Sequence, residues 1–145
     1  MKESDLQVTV ADYLRLQYPN VLFHSDFGSG IKLTIGQAAK QKRQNGGRRA
    51  WPDMFIAEPL DGLTDERVSE FHGSWREAGP SGLFIELKKD GTHLKKKNGE
   101  WASDHIAEQA EVLEKLRKRG YVAEFACGFV EAKTIIDEYL GGINE

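Results

Sequence analysis

The segment Leu83-Phe84-Ile85-Glu86-Leu87-Lys88 constrains this chain more than any other stretch of it. It is rich in apolar residues and is entered from the turn-forming Pro80-Ser81-Gly82, so it reads as a β-strand. Side chains alternate between the two faces of a strand. Leu83, Ile85 and Leu87 therefore share one face, and Phe84, Glu86 and Lys88 share the other. A carboxylate and an ammonium stand side by side at the carboxyl end of an otherwise apolar element, and burying charge is expensive. A second strand, Pro52 to Ala57, repeats the pattern: Asp53 points with Phe55 and Ala57, while Met54 and Ile56 point the other way.

Two arrangements reconcile charge with these strands. One is an ion pair among Asp53, Glu86 and Lys88. The other is a hydrolytic site, in which two carboxylates on adjacent strands hold a hard cation through oxygen ligands. The cation binds a phosphate and lowers the pKa of a water. Lys88 then orients or deprotonates that water and offsets charge on the phosphorane, and the backbone carbonyl of Leu87 is a further candidate ligand.

The other elements follow from periodicity and punctuation. Residues 3–18 read as an amphipathic helix with Leu6, Val10, Tyr13, Leu14 and Gln17 at helical spacing, ended by Pro19. Val21 to Phe27 reads as a strand broken by Gly28-Ser29-Gly30, and residues 34–45 as a short polar helix stopped by Gly46-Gly47. Residues 104–118 form a strong helix, with Ser103 as N-cap and Gly120 as stop. Tyr121 to Ala126 is a fourth strand, and residues 129–140 are a closing helix to which no chemistry is assigned. This order predicts one α/β domain over 1–145, a mixed four-stranded sheet flanked by helices. Leu60 to Gly82 is long for a connection between neighbouring strands and reads as an insertion at about 60–82, a loop, lid or docking surface carrying Phe71, His72 and Trp75.

Composition closes off other classes. With 145 residues, 39% of them hydrophobic, three Trp and seven Phe, the chain can bury a core. The single cysteine, Cys127, excludes an internal disulfide framework, and no Cys/His cluster has zinc-finger spacing. The charged start shows neither a signal peptide nor a membrane span, and a reducing, cytoplasmic setting is expected. No Ser/His/Asp arrangement and no Walker loop is visible. The four histidines read as surface residues or as supports of other groups. The net charge of −3 argues against nucleic acid, but its distribution does not. Fourteen of the twenty Lys and Arg fall in three clusters: Lys40, Lys42, Arg43, Arg48 and Arg49; Lys88, Lys89, Lys95, Lys96 and Lys97; and Lys115, Arg117, Lys118 and Arg119. Such clusters suit phosphate binding or are simply solvated surface.

Pro52-Asp53 followed by Glu86-Leu87-Lys88 resembles the signature of the PD-(D/E)xK nuclease superfamily. The motif alone is short. Its surroundings resemble the VRR-NUC branch, of the stand-alone phage and bacterial type: a first helix with Glu3 and Leu6-Gln7, Gly-rich basic residues before Trp51-Pro52-Asp53, the run Gly82 to Lys88, a following helix with Gln109, and Gly120-Tyr121-Val122 before the last strand. The resemblance covers nearly the whole chain except Leu60 to Gly82. It implies a restriction-endonuclease-like core and a catalytic set of Asp53, Glu86, Lys88 and Gln109. It implies a metal site of Asp53, Glu86 and Leu87, joined by Glu3, for Mg²⁺ or Mn²⁺. Gln109, which shares the apolar stripe of Ile106, Ala110, Leu113 and Leu116, is either a satisfied core amide or, by the resemblance, a contact to the active-site water or the lysine. Arg48, Arg49, Lys89 and the Lys95, Lys96, Lys97 loop are the expected DNA contacts.

The resulting expectation is a metal-dependent, structure-specific DNA endonuclease, a homodimer placing two sites against opposing strands of a Holliday junction or other branched DNA. The alternatives are a restriction-type or single-strand nuclease, since fold does not fix substrate, and a non-catalytic DNA-binding module. Degenerate relatives lose an acid or the lysine, whereas Asp53, Glu86 and Lys88 are all present here.

Overall fold

A computed structural model describes residues 1–26, 32–48, 50–60 and 79–141. Helix α1 (Glu3–Gln17) has Glu3 and Asp5 in its first turn and Arg15 in its last, charges that suit the helix dipole. Strand β1 (Phe23–Ser25) follows. Helix α2 (Ile35–Gln44) starts at a capping box, in which the Thr34 side chain accepts from the Gln37 N–H and the Gln37 side chain accepts from the Thr34 N–H. It ends before Gly46 and Gly47, whose φ values of 68° and 84° turn the chain out of the helix. Strands β2 (Met54–Ile56) and β3 (Leu83–Lys88) come next. Helix α3 (Asp104–Arg117) is capped by Ser103, and it is followed by β4 (Val122–Cys127) and α4 (Phe129–Leu140).

The sheet order is β1-β2-β3-β4. The first three strands pair antiparallel, and β4 runs parallel to β3 after the α3 crossover. The sheet is therefore mixed and four-stranded, as the sequence predicts. Element bounds differ modestly. The first strand is shorter than the expected 21–27, and Phe27 lies outside the described residues. The last strand ends one residue later than expected, at Cys127. Of the segment expected as an insertion, residues 61–78 lie outside the described residues. Its two ends meet: the Leu60 N–H donates to the Pro80 carbonyl at 2.9 Å.

One face of the sheet carries the main core. Met54, Ile56, Leu83, Ile85 and Leu87 pack against Leu6, Val10 and Leu14 of α1 and Ala132, Ile136 and Leu140 of α4. The two helices are further joined through Asp137, whose carboxylate accepts from the hydroxyls of Tyr13 and Tyr18 and from Lys133. On the opposite face α3 covers only β4 and its surroundings, with Val112, Leu113 and Leu116 against Ala123. Phe84 stacks on Phe55 there, ring centroids 4.4 Å apart. No helix among the described residues is long and apolar enough to cross a membrane.

Candidate active site

Register brings the two carboxylates together. In the β2–β3 ladder Met54 faces Ile85, Phe55 faces Phe84 and Ile56 faces Leu83. One step further along the same ladder, Asp53 stands opposite Glu86. Both side chains lie on the face of Phe55 and Phe84, away from the main core. The Leu87 N–H donates to Asp53 Oδ2 at 2.8 Å, which fixes that carboxylate across the strand end. The Leu87 side chain is itself buried in the main core, so only its backbone reaches the site. On the other flank the Asp26 N–H donates to the Asp53 carbonyl at 2.7 Å.

Asp53 is half-buried and its partners are buried. Glu86 is 4% exposed, Gln109 5% and Lys88 7%. Glu86 and Asp53 lie within hydrogen-bond reach of one another. Burial, together with the charge of Asp53 and the bond to it, pushes the Glu86 carboxyl up to about 10, and Lys88 counteracts only part of this. Burial also raises Asp53, against the opposing bonds from Leu87 and Glu86. The ion-pair alternative does not account for the arrangement: among the described residues, no ion pair within 4.0 Å joins Lys88 to either carboxylate. Gln109, on the buried stripe of α3, donates from Nε2 to Glu86 Oε1 at 2.7 Å. It thus holds a carboxylate; of the two readings offered by the sequence, a core amide and a contact to water or lysine, neither named this partner.

Two buried oxygens, Glu86 Oε2 and Gln109 Oε1, have no hydrogen-bond partner among the described residues. An orphaned carboxylate oxygen beside a second carboxylate has two remedies, a shared proton or a cation. The donors are all oxygens, which suits a hard divalent ion of the Mg²⁺ class, held by one or two carboxylates with the rest of its shell left to solvent or substrate. No three His, Cys, Asp or Glu side chains among the described residues converge as a preformed cage. Glu3 adds its charge to both carboxylates from α1 without joining such a set.

The site opens into a cleft of about 780 Å³. Asp53, Glu86, Lys88 and Gln109 form its floor, and Glu3, at the start of α1, lines it too. The far wall is α2 and the turn after it, including Lys42 and Arg48. No residue of α2 is buried, so this helix contributes wall rather than core. Lys32 to Arg48 contains five basic residues and no acidic one. Of the other expected DNA contacts, Lys89 is exposed directly after Lys88, and Arg49 lies outside the described residues. Lys95, Lys96 and Lys97 sit on a tight hairpin closed by the Lys95–Trp101 bridge, with Lys95 Nζ 4.8 Å from the Trp101 ring centre. Lys95 and Trp101 border a separate depression with Glu124, Phe125 and Cys127 of β4, and none of the three lysines lines the cleft.

Among the cleft residues that sequence reasoning did not single out are Asp26, Trp51 and His105. His105 lies one helical turn before Gln109, a spacing that puts both on one side of α3 and was readable. The role of Gln7 was also hidden. It is buried, and its amide donates to Ser25 Oγ and to the Asp26 carbonyl, both at 2.7 Å, tying the end of β1 to α1.

No protein-family model matches the sequence. No curated protein matches it either. A solved structure described as "VRR_NUC domain protein" is 23% identical to the chain, covers 97% of it over 89% of its own length, and superposes with a TM-score of 0.61. A likeness of that extent at that identity is a likeness of fold: this chain is built on the fold of a VRR_NUC domain.

Proposed function

We propose that the chain is a metal-dependent endodeoxyribonuclease that hydrolyses phosphodiester bonds in branched DNA, a four-way junction foremost. The observation that carries this reading is the buried Glu86 beside the half-buried Asp53, with an orphaned carboxylate oxygen and Lys88 next to them, at the floor of a cleft walled by a basic helix. The kinship in fold with a VRR_NUC domain protein supports it.

Asp53 and Glu86 would hold Mg²⁺ or Mn²⁺, with the Leu87 carbonyl beside them and Glu3 adding negative charge. Such an ion, when bound, supplies Lewis-acid polarisation of a phosphate and makes a water acidic enough to attack it. The chain's own groups do the rest. Gln109 holds Glu86 in one orientation through Oε1. The Leu87 N–H does the same for Asp53. Lys88 orients the attacking water and offsets the charge that grows on the phosphoryl oxygens as the water oxygen bonds to phosphorus and the P–O ester bond breaks. Lys42 and Arg48 hold the flanking phosphates, contacts that position the strand without reading its sequence. A homodimer would bring a second cleft to the opposing strand of a junction.

The test is cleavage of a four-way junction, a flap and a linear duplex of shared sequence, each with Mg²⁺, Mn²⁺ or EDTA. Junction cutting that EDTA abolishes is expected, together with a Lys88→Ala variant that binds the junction but does not cut it. Equal cutting of the linear duplex would remove the branched-DNA assignment. A Lys88→Ala variant as active as the parent would remove the mechanism.

A further inference from the structure

Trp51 is 39% exposed and lines the cleft two residues before Asp53. A solitary exposed aromatic is ordinary on a protein surface. Trp51 differs in how it is held. Its indole N–H donates to the Asn45 carbonyl at 3.3 Å, which pins one edge to the turn that ends α2. One side of the ring leans on Phe84, centroids 6.3 Å apart. Phe84 in turn stacks on Phe55 and meets Tyr121 edge-on at 5.1 Å. The indole is thus the outermost member of a packed aromatic row, and its free surface opens into a cleft otherwise floored by charge. A rigid, apolar, planar surface there gains nothing from water or from a phosphate. Its natural complement is another flat π-system.

We propose that Trp51 is a stacking platform for one unpaired nucleobase of the DNA strand in the cleft. This rests on the nuclease reading above. Two residues span at most about 7 Å of chain, so a base stacked on Trp51 belongs to a nucleotide close to the phosphate seated at Asp53 and Glu86. A base inside continuous duplex has both faces covered by its neighbours and cannot offer one to the indole. A base at an end, in a flap or at the open centre of a branch can. Stacking of this kind tolerates any base, so the platform selects strand structure and leaves sequence unread. Lys42 and Arg48 in the same cleft supply the backbone contacts that accompany stacking in single-strand sites.

The full chain is used, carrying Lys88→Met to keep substrate uncut, with Mg²⁺ present. Binding of an oligodeoxythymidylate and of a duplex of equal length is measured by fluorescence anisotropy, with Trp51, with Trp51→Ala and with Trp51→Phe. Trp51→Ala is expected to weaken single-strand binding about tenfold and to leave duplex binding within about twofold. Trp51→Phe, which keeps a ring but loses the bond to Asn45, is expected to retain most of the affinity. Saturating oligodeoxythymidylate quenches tryptophan emission, and the quench falls away in Trp51→Phe. The fluorescence measurement stands whether or not Trp51→Ala folds. Equal weakening of single strand and duplex, an equal loss in Trp51→Phe, or an unchanged quench in Trp51→Phe would each overturn the platform while sparing the nuclease reading. Failure of the Trp51 parent to bind the oligodeoxythymidylate would overturn the platform, and failure to bind a four-way junction as well would overturn both.

Discussion

The two faces of the sheet are made by alternate residues of the same strands, yet they solve different problems. On the face toward α1 and α4, Leu83, Ile85 and Leu87 are at most 1% exposed and belong to the main hydrophobic cluster. On the other, Phe84, Glu86 and Lys88 meet an aromatic row, a helix that covers only part of the sheet, and a cleft. The first face supplies apolar burial, the dominant favourable contribution to folding. The second concentrates the groups whose burial opposes folding: two carboxylates, an ammonium and an amide with an orphaned oxygen. The dry face gives the polar one a rigid base, because each charged residue is fixed by the buried neighbours on either side of it in sequence.

Conservative changes on the two faces should therefore separate activity from stability. Glu86→Gln should lower cleavage by roughly 10²–10⁴-fold, the range set by losing a group that acts on the reacting centre. The same variant should melt no lower than the parent in EDTA, since it removes a carboxyl held far from its ordinary protonation range. A melting temperature several degrees lower would mean that Glu86 is a structural member of the fold, and the contrast would collapse. Ile85→Ala, one residue away and facing the other side, should do the reverse. It should cost about 2–5 kcal/mol in urea unfolding, with the folded fraction cutting at the parental rate. A slower rate per folded molecule would show that the core face tunes the site.

A smaller effect joins the two. The folded chain holds the Glu86 proton up to about pH 10, whereas in the unfolded chain the group titrates near 4.5. The raised value means that unfolding releases this proton between those limits. The cation-free protein should then lose stability as pH rises above about 4.5, by less than the roughly 1.4 kcal/mol per pH unit that one proton allows. A cation at the site replaces the proton, so stabilisation by Mg²⁺ should grow with pH. Melting temperatures at pH 5.5, 7 and 8.5, with Mg²⁺ or EDTA, check this, and Glu86→Gln should flatten the dependence. A Mg²⁺ effect independent of pH in the parent would separate metal binding from this carboxyl.

What was legible in the sequence follows the same division. Strand period alone put Asp53, Glu86 and Lys88 on one side and Leu83, Ile85 and Leu87 on the other, and helix period put Gln109 on a buried stripe. Those are local rules, and the structure obeys them. What local rules could not reach was how separate elements meet. That Gln7 ties β1 to α1, that α2 stands as a cleft wall with nothing of its own buried, and that Asp26 and Trp51 enter the cleft are consequences of packing between segments. The lysine hairpin shows the same limit. Lys95, Lys96 and Lys97 follow Lys88 closely in sequence but do not line the cleft, because β3 has ended by then and the chain carries Lys95 to a separate depression.

The bond between Leu60 and Pro80 has a consequence for how such a chain tolerates change. It brings both ends of the intervening segment to a single rung beyond the β2–β3 ladder, at the end of the ladder remote from Asp53 and Glu86. The two carboxylates are 33 positions apart in sequence and directly opposed in space. Their meeting is set by strand register, which a change in the length of a connection outside the ladder does not alter, and lengthening a closed connection costs only slowly growing entropy. The register at Asp53 and Glu86 is set by the β2–β3 rungs and not by the number of residues between Leu60 and Pro80, while one residue added between Asp53 and Met54 would separate the pair.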